Sequence, residues 1–153
     1  LERVMAEGLP ATPVRVVTEP ARTVAVVRET AAGPADVARA TSAAIARLLA
    51  TTPLEGPPWL VGLFPIELAE TFEVRAALAV KAGEPLPGGT FACATHVGPY
   101  EQISLTAHAV LAWCAERGHP LRGPIREVYV SDPAVTEPDQ LVTHLMIPLE
   151  DRP

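Results

Sequence analysis

Apolar runs of strand length recur along the whole chain. Each run is rich in β-branched or aromatic residues and is bounded by Pro, Gly or Asp, the residues that commonly flank strands. The pattern predicts β-strands over residues 14–18, 23–28, 59–64, 72–80, 90–97, 126–131 and 141–147.

Two further segments have the spacing of amphipathic helices instead. Gly33 and Pro34 precede the first, Pro99 stands at the start of the second, and Gly118 follows the second as a stop. The predicted buried faces are Val37, Thr41, Ala44, Ile45 and Leu48 in the first helix, and Ile103, Ala107, Val110, Leu111 and Cys114 in the second.

The predicted elements follow the order β-β-α-β-β twice, and the two halves align with each other. The aligned pairs are residues 23–28 with 90–95, residues 32–34 with 97–99, and residues 56–58 with 123–125. The repetition indicates an α+β protein in which two units join into one antiparallel sheet. Such an arrangement leaves a cleft between the units, which is a natural place for a ligand.

The first strand of the second repeat is the weakest element of this pattern. Segment 81–86 contains Gly83 and Pro85, so we expect it to continue the preceding strand or to form a loop. With this assignment, repeat one covers about 14–80 and repeat two about 81–150.

Composition narrows the classes of partner. The 153 residues are 48% apolar and 20% charged, enough to bury a core, and the net charge is −6. A negative chain disfavours nucleic acid as a partner of this chain alone, because phosphate binding needs a basic face.

Two cysteines, no signal-peptide pattern and no membrane-length apolar run predict a cytoplasmic protein that binds no membrane. The oligomeric state is not predicted.

Glu127 and Tyr129 are the two residues best suited to form a ligand-binding or catalytic site. They lie two positions apart in a predicted strand and therefore point to the same face. The equivalent positions of the first repeat hold Leu60 and Gly62, so the acid occurs in one copy only, as an asymmetric ligand site requires. A solvated strand position explains Glu127 equally well. If Glu127 is buried instead, its pKa would rise, and a cationic ligand held by aromatic side chains would offset the buried charge.

Aromatic residues complete the predicted site. Tyr100 follows Gly98 and Pro99 at a helix start, and Trp59 opens the strand equivalent to that of Glu127. Trp113 is better explained by core packing. The predicted ligand-binding residues are Glu127, Tyr129, Tyr100, Trp59, Phe64 and Phe91.

No metal or cofactor site is predicted. The four histidines lack the spacing of metal ligands, and there is no phosphate-binding glycine loop, nucleophile elbow or helix-turn-helix pattern. If the protein is an enzyme, Glu127 and Tyr129 are its expected catalytic residues.

A series of short motifs spans the second half of the chain. They are LPGGT at 86–90, HVGPYE at 96–101, AW at 112–113, GP at 123–124, REVYV at 126–130, DP at 132–133 and IPL at 147–149. Together they resemble the GyrI-like small-molecule-binding domain, also called the bacterial effector-binding domain. The first half is similar to that family more weakly, through residues 20–25 and 28–30.

The resemblance implies two tandem β-α-β-β (SHS2-like) repeats with pseudo-twofold symmetry, two main helices and a central cleft for lipophilic, often cationic compounds. It places the family's acid on Glu127 and its companion tyrosine on Tyr129. The expected organisation is a lead-in segment at 1–13 and a single domain at 14–153. Ala35 stands where symmetry with Tyr100 would place an aromatic residue, which indicates a more aliphatic cleft than that of the multidrug sensors.

Three functions from different classes are compatible with this interpretation. The preferred one is binding of lipophilic, cationic small molecules, either by a stand-alone protein or by the effector-sensing domain of a MerR- or AraC-type transcriptional regulator. A regulatory role requires a DNA-binding segment before Leu1 or a partner protein. The alternatives are a hydrolase of cyclopropane-containing compounds that uses Glu127 and Tyr129, and a protein inhibitor that contacts a larger cationic enzyme through its acidic surface.

Overall fold

The structure, a computed structural model, describes residues 12–54, 56–67 and 69–150. Apart from residues 12 and 13, the predicted lead-in segment 1–13 lies outside the described residues. The strands are β1 Arg15–Glu19, β2 Arg22–Ala31, β3 Leu60–Phe64, β4 Phe72–Ala79, β5 Glu84–Leu86, β6 Gly89–Val97, β7 Ile125–Tyr129 and β8 Val142–Pro148. The helices are α1 Val37–Thr51 and α2 Ile103–Glu116, each preceded by a short 3₁₀ turn. All seven predicted strands and both predicted helices are present, and the α+β assignment is confirmed.

Segment 81–86 differs from its prediction. Glu84–Leu86 forms a separate strand that pairs antiparallel with β2 through Arg22↔Leu86 and Val24↔Glu84. Pro85 is tolerated because β5 lies at the edge of the sheet, where one side of the strand needs no partner.

The eight strands form one sheet in the order β1-β6-β8-β7-β3-β4-β2-β5, and all the pairs are antiparallel. If β1, β2, β3 and β4 are exchanged with β5, β6, β7 and β8, respectively, the strand order reads the same from the other edge of the sheet. The first strand of each repeat pairs with the second strand of the other repeat. In the centre, Val61 of β3 faces Val128 of β7, and these are equivalent positions of the two repeats. This strand order is the one that a twofold axis between β3 and β7 would generate.

Both helices pack on the same face of the sheet, which we call the helix face. On this face Ala44 and Leu48 of α1 contact Leu78 of β4, while Val110 of α2 belongs to a cluster with Leu145 of β8. The other members of the two predicted faces are partly buried, whereas the fully buried ones are Ala44, Leu48, Ile103, Val110 and Cys114. The prediction for α1 missed Ala40, which is also fully buried. The buried face of α2 also includes Thr106, whose hydroxyl has a partner on β6.

The opposite face, which we call the barrel face, carries its own apolar core. Leu86 of the edge strand β5 and Phe91 of β6 belong to one buried cluster with Val61 and Val128 of the central strands. Residues from both outer parts of the sheet meet there because the sheet curls into a half-barrel. No helix within the described ranges combines the length and the hydrophobicity needed to cross a bilayer.

Candidate functional site

The two helices leave the middle of the helix face open. The principal contacts of α1 are with β2 and β4, and those of α2 are with β6 and β8. The central strands β3 and β7 therefore form the floor of a cleft between the helices. This is the position at which the sequence predicted a ligand site.

The register of β3 and β7 decides which side chains form this floor. Gly62 faces Glu127, Leu60 faces Tyr129, and these residues share the helix face. A Cβ atom added at Gly62 would lie 2.7 Å from the hydroxyl oxygen of Tyr129 and 2.8 Å from Cε2 of Phe64. The phenol of Tyr129 and the ring of Phe64 thus occupy the space that Gly62 leaves free. Sequence analysis identified Gly62 only as the symmetry mate of a tyrosine.

Glu127 and Tyr129 interact directly. The Tyr129 hydroxyl donates a hydrogen bond of 2.9 Å to Oε1 of Glu127, and both residues are half-buried. Burial raises the pKa of Glu127, and the Tyr129 hydrogen bond offsets part of this rise. Burial also raises the pKa of Tyr129 well above its usual value, and the Glu127 charge adds to this effect.

The Glu127 carboxylate has no cationic partner in the described part of the chain. None of the ion pairs there includes Glu127, and no positive charge contributes to its pKa. Arg126, its neighbour in sequence, points to the barrel face, where it is 4% exposed and lies against Phe91. The cleft therefore contains a half-buried carboxylate whose hydrogen-bond partner is a phenol.

Tyr100 forms a wall of the cleft beside this pair. Its ring meets that of Tyr129 edge-on, with the ring centroids 5.7 Å apart. Burial, followed by the charges of Asp132 and Glu127, raises the pKa of Tyr100. With 38% of its surface exposed, Tyr100 remains accessible to a ligand.

His96 holds the turn that carries Tyr100. Its Nε2 donates a hydrogen bond of 2.9 Å to the carbonyl oxygen of Pro99, and its Nδ1 lies 3.0 Å from the hydroxyl of Thr106 on α2. This bridge ties the end of β6 to the start of the turn and to α2. Sequence analysis placed His96 in the HVGPYE motif and set it aside as a metal ligand, and it did not predict this bridge.

The structure brings four of the six predicted ligand-binding residues together and separates two. Glu127, Tyr129, Tyr100 and Phe64 meet in the cleft. Trp59 and Phe91 lie on the barrel face, where Trp59 packs under the guanidinium of Arg22 at 4.0 Å and Phe91 is 2% exposed. Trp59 directly precedes β3 and lies an odd number of positions from Phe64, so the two side chains point to opposite faces.

The raised pKa of Glu127 predicts that stability depends on pH. A carboxyl group with a higher pKa in the folded state stabilises the fold fully below its unfolded pKa, near 4.5, and loses this contribution as the pH rises through the folded pKa. We therefore expect the free energy of unfolding of Glu127→Gln to be higher than that of wild type at about pH 7 and similar to it at about pH 4. The amide keeps an acceptor for Tyr129 but cannot ionise.

Urea denaturation at the two pH values measures this difference. Glu116→Gln, a substitution of a carboxylate with 74% exposure at the end of α2, serves as the matched control and should change stability little at either pH. A difference between Glu127→Gln and wild type that stays the same at both pH values would contradict the prediction.

Comparison with known proteins extends this description. Residues 83–150 match the model of the GyrI-like small molecule binding domain. A comparison with curated proteins found no match to this sequence.

Solved structures with similar folds come from several proteins. The chain of EcmrR in its DNA complex superposes with a TM-score of 0.78 at 17% identity, covering 99% of this chain and 62% of EcmrR. The EcmrR C-terminal domain alone gives a TM-score of 0.76 at 16% identity, covering 94% of this chain and all of that domain. This chain thus spans 62% of the EcmrR chain.

Two further structures are similar over nearly their whole length. SAV2435, solved with tetraphenylphosphonium bound, has a TM-score of 0.61 at 13% identity and covers 90% of this chain and 94% of its own. A hydrolase from Listeria innocua has a TM-score of 0.59 at 15% identity and covers 97% of this chain and 98% of its own. At such identities the likeness concerns the fold. The resemblance predicted from the sequence is therefore confirmed: residues 83–150 carry the pattern of the GyrI-like small molecule binding domain, on a fold similar to that of the EcmrR C-terminal domain.

Proposed function

We propose that this protein binds lipophilic cations in the cleft over β3 and β7, with Glu127 as their counter-ion. The observation that carries the proposal is the half-buried Glu127 carboxylate, which has a phenol and no cation as its partner among the described residues. A buried negative charge without a positive partner destabilises the free protein. A cation therefore gains more free energy by pairing with Glu127 in the cleft than by pairing with a carboxylate in water.

The walls of the cleft suit the apolar part of such a ligand. Tyr100, Tyr129 and Phe64 present aromatic surface beside the carboxylate. Aromatic rings attract cations through their negative faces and also bury apolar area. Tetraphenylphosphonium, the compound bound to SAV2435, combines a permanent charge with four phenyl groups and is a suitable probe.

Fold similarity to solved structures supports two biological roles for this binding. The fold similarity to EcmrR, whose chain is longer than this one, supports a role as the effector-sensing domain of a transcription regulator. The similarity to SAV2435 along nearly its whole chain supports a stand-alone drug-binding protein. Both roles use the same cleft and the same counter-ion.

Calorimetric titration with tetraphenylphosphonium over a range of pH tests the proposal. The charge of this ligand does not titrate, so we expect its affinity to rise with pH as Glu127 ionises and to level off once the carboxylate is charged. Neutral triphenylphosphine oxide should show no such rise. In Glu127→Gln the affinity for the cation should no longer follow pH, because the amide cannot ionise. Equal pH profiles for the cation and the neutral compound would contradict a counter-ion role.

A further inference from the structure

A second cavity, of about 360 Å³, lies at the end of β3, and none of Glu127, Tyr129 or Tyr100 lines it. Its volume is in the range of small-molecule sites. Six of its eight lining residues are uncharged and two are charged. The lining residues are Leu63, Phe64, Pro65, Ile66, Gly123 and Pro124, together with Glu73 and Arg75.

Arg75 is the unusual member of this wall. It lies directly opposite Arg28 in the β2–β4 pairing, and like charges in facing positions destabilise a sheet. Arg28 is compensated, since it pairs with Glu84 at 3.0 Å and with Glu73 at 3.7 Å. Arg75 is half-buried and takes part in no ion pair or side-chain hydrogen bond with the described residues. The sheet thus places in the cavity wall a guanidinium that has no ion pair of its own among the described residues.

The charges around Arg75 leave it available to an external anion. Glu73 is exposed, and its Oε1 lies 3.7 Å from Nε of Arg28. The pKa of Glu84 is lowered mainly by its hydrogen bond to Arg28, and Arg75 contributes only through its charge at longer range. Both neighbouring carboxylates are therefore engaged by Arg28.

We propose that this cavity is a second ligand site, selective for small amphipathic carboxylates. The Arg75 guanidinium matches a carboxylate in shape and can bind both of its oxygens, while the apolar part of the ligand packs against Leu63, Phe64 and Pro124. Arg75 shares the barrel face with its cross-strand partner Leu63, whereas Glu127 lies on the helix face. The charged residues of the two sites therefore lie on opposite faces of the sheet and select opposite charges, and Phe64 at the end of β3 borders both sites.

Octanoate is the probe for this site, titrated into the full chain and followed by calorimetry and by amide chemical shifts. We expect saturable binding with shift changes at residues 63–66 and 73–75. Arg75→Gln should weaken the affinity at least about tenfold, whereas Arg75→Lys should keep part of it because the positive charge remains. Arg117→Gln, which removes an exposed arginine paired with Glu116 at the end of α2, is the matched control and should leave the affinity unchanged.

Two further measurements separate this site from the cleft. Glu127→Gln should bind octanoate as wild type does, and Arg75→Gln should bind tetraphenylphosphonium as wild type does. The folding of Arg75→Gln is checked by its thermal melt, which we expect to be no lower than that of wild type because the repulsion with Arg28 is removed. Unchanged affinity in Arg75→Gln, no binding by wild type, or loss of octanoate binding in Glu127→Gln would each overturn the proposal.

Discussion

Glu127→Gln is expected to weaken the binding of tetraphenylphosphonium roughly 5- to 150-fold at neutral pH, which corresponds to about 1–3 kcal/mol. The substitution removes the charge and little else. Glutamine has nearly the same shape, and its amide oxygen can accept the hydrogen bond that Tyr129 now donates to the carboxylate. A loss of affinity therefore measures the electrostatic contribution of Glu127 in the half-buried cleft.

Isothermal titration calorimetry of wild type and two variants measures this effect. Glu116→Gln removes one negative charge of the same type at the last turn of α2, away from the turn that carries Tyr100. It should leave the affinity within about twofold of wild type, because exposed charges are screened by salt. Equal losses in the two variants would show that only the net charge matters, and an unchanged affinity in Glu127→Gln would remove Glu127 from the site.

Gly62→Ala is expected to lower the free energy of unfolding by about 1–3 kcal/mol and to weaken ligand binding at the same time. The new methyl group would lie 2.7 Å from the Tyr129 hydroxyl oxygen and within 3 Å of the Phe64 ring. Neither neighbour can keep its place, and a shift of Tyr129 breaks its hydrogen bond to Glu127. Urea denaturation and calorimetry with tetraphenylphosphonium measure the two losses.

A double-mutant cycle with Phe64→Leu identifies the cause of this effect. If overlap with the Phe64 ring contributes, Gly62→Ala should cost less stability in the Phe64→Leu background than in wild type. An identical cost in both backgrounds would assign the loss to Tyr129 alone. No loss of stability in the single variant would contradict the packing described for the cleft.

Local periodicity accounts for what could be predicted of the candidate site. Glu127 and Tyr129 share a face because side chains alternate along a strand, and this requires no knowledge of the neighbouring strands. The same rule separates Trp59 from Phe64, so the sequence already contained the reason why these two residues do not meet. Phe91 is different, since its position relative to Glu127 depends on the pairing of β6, β8 and β7.

The pairing between the repeats could not be predicted in the same way. β5 was expected to be a loop or a continuation of β4, yet it pairs with β2, and β1 pairs with β6 of the other repeat. Contacts of this kind join segments that are far apart in the chain, and local propensity carries no information about them. Gly83 and Pro85 are unfavourable in a central strand, but an edge position tolerates them.

The amino-acid sequence by itself predicted seven of the eight described strands, both helices and the shared face of Glu127 and Tyr129, because each of these depends on local pattern and residue type. Only the tertiary structure decided that Gly62 lies opposite Glu127, that the Tyr100 ring meets that of Tyr129 edge-on, and that Arg75 lies opposite Arg28 beside a cavity. These relations depend on the register of neighbouring strands and on how far the sheet curls, and both are set by packing across the whole domain.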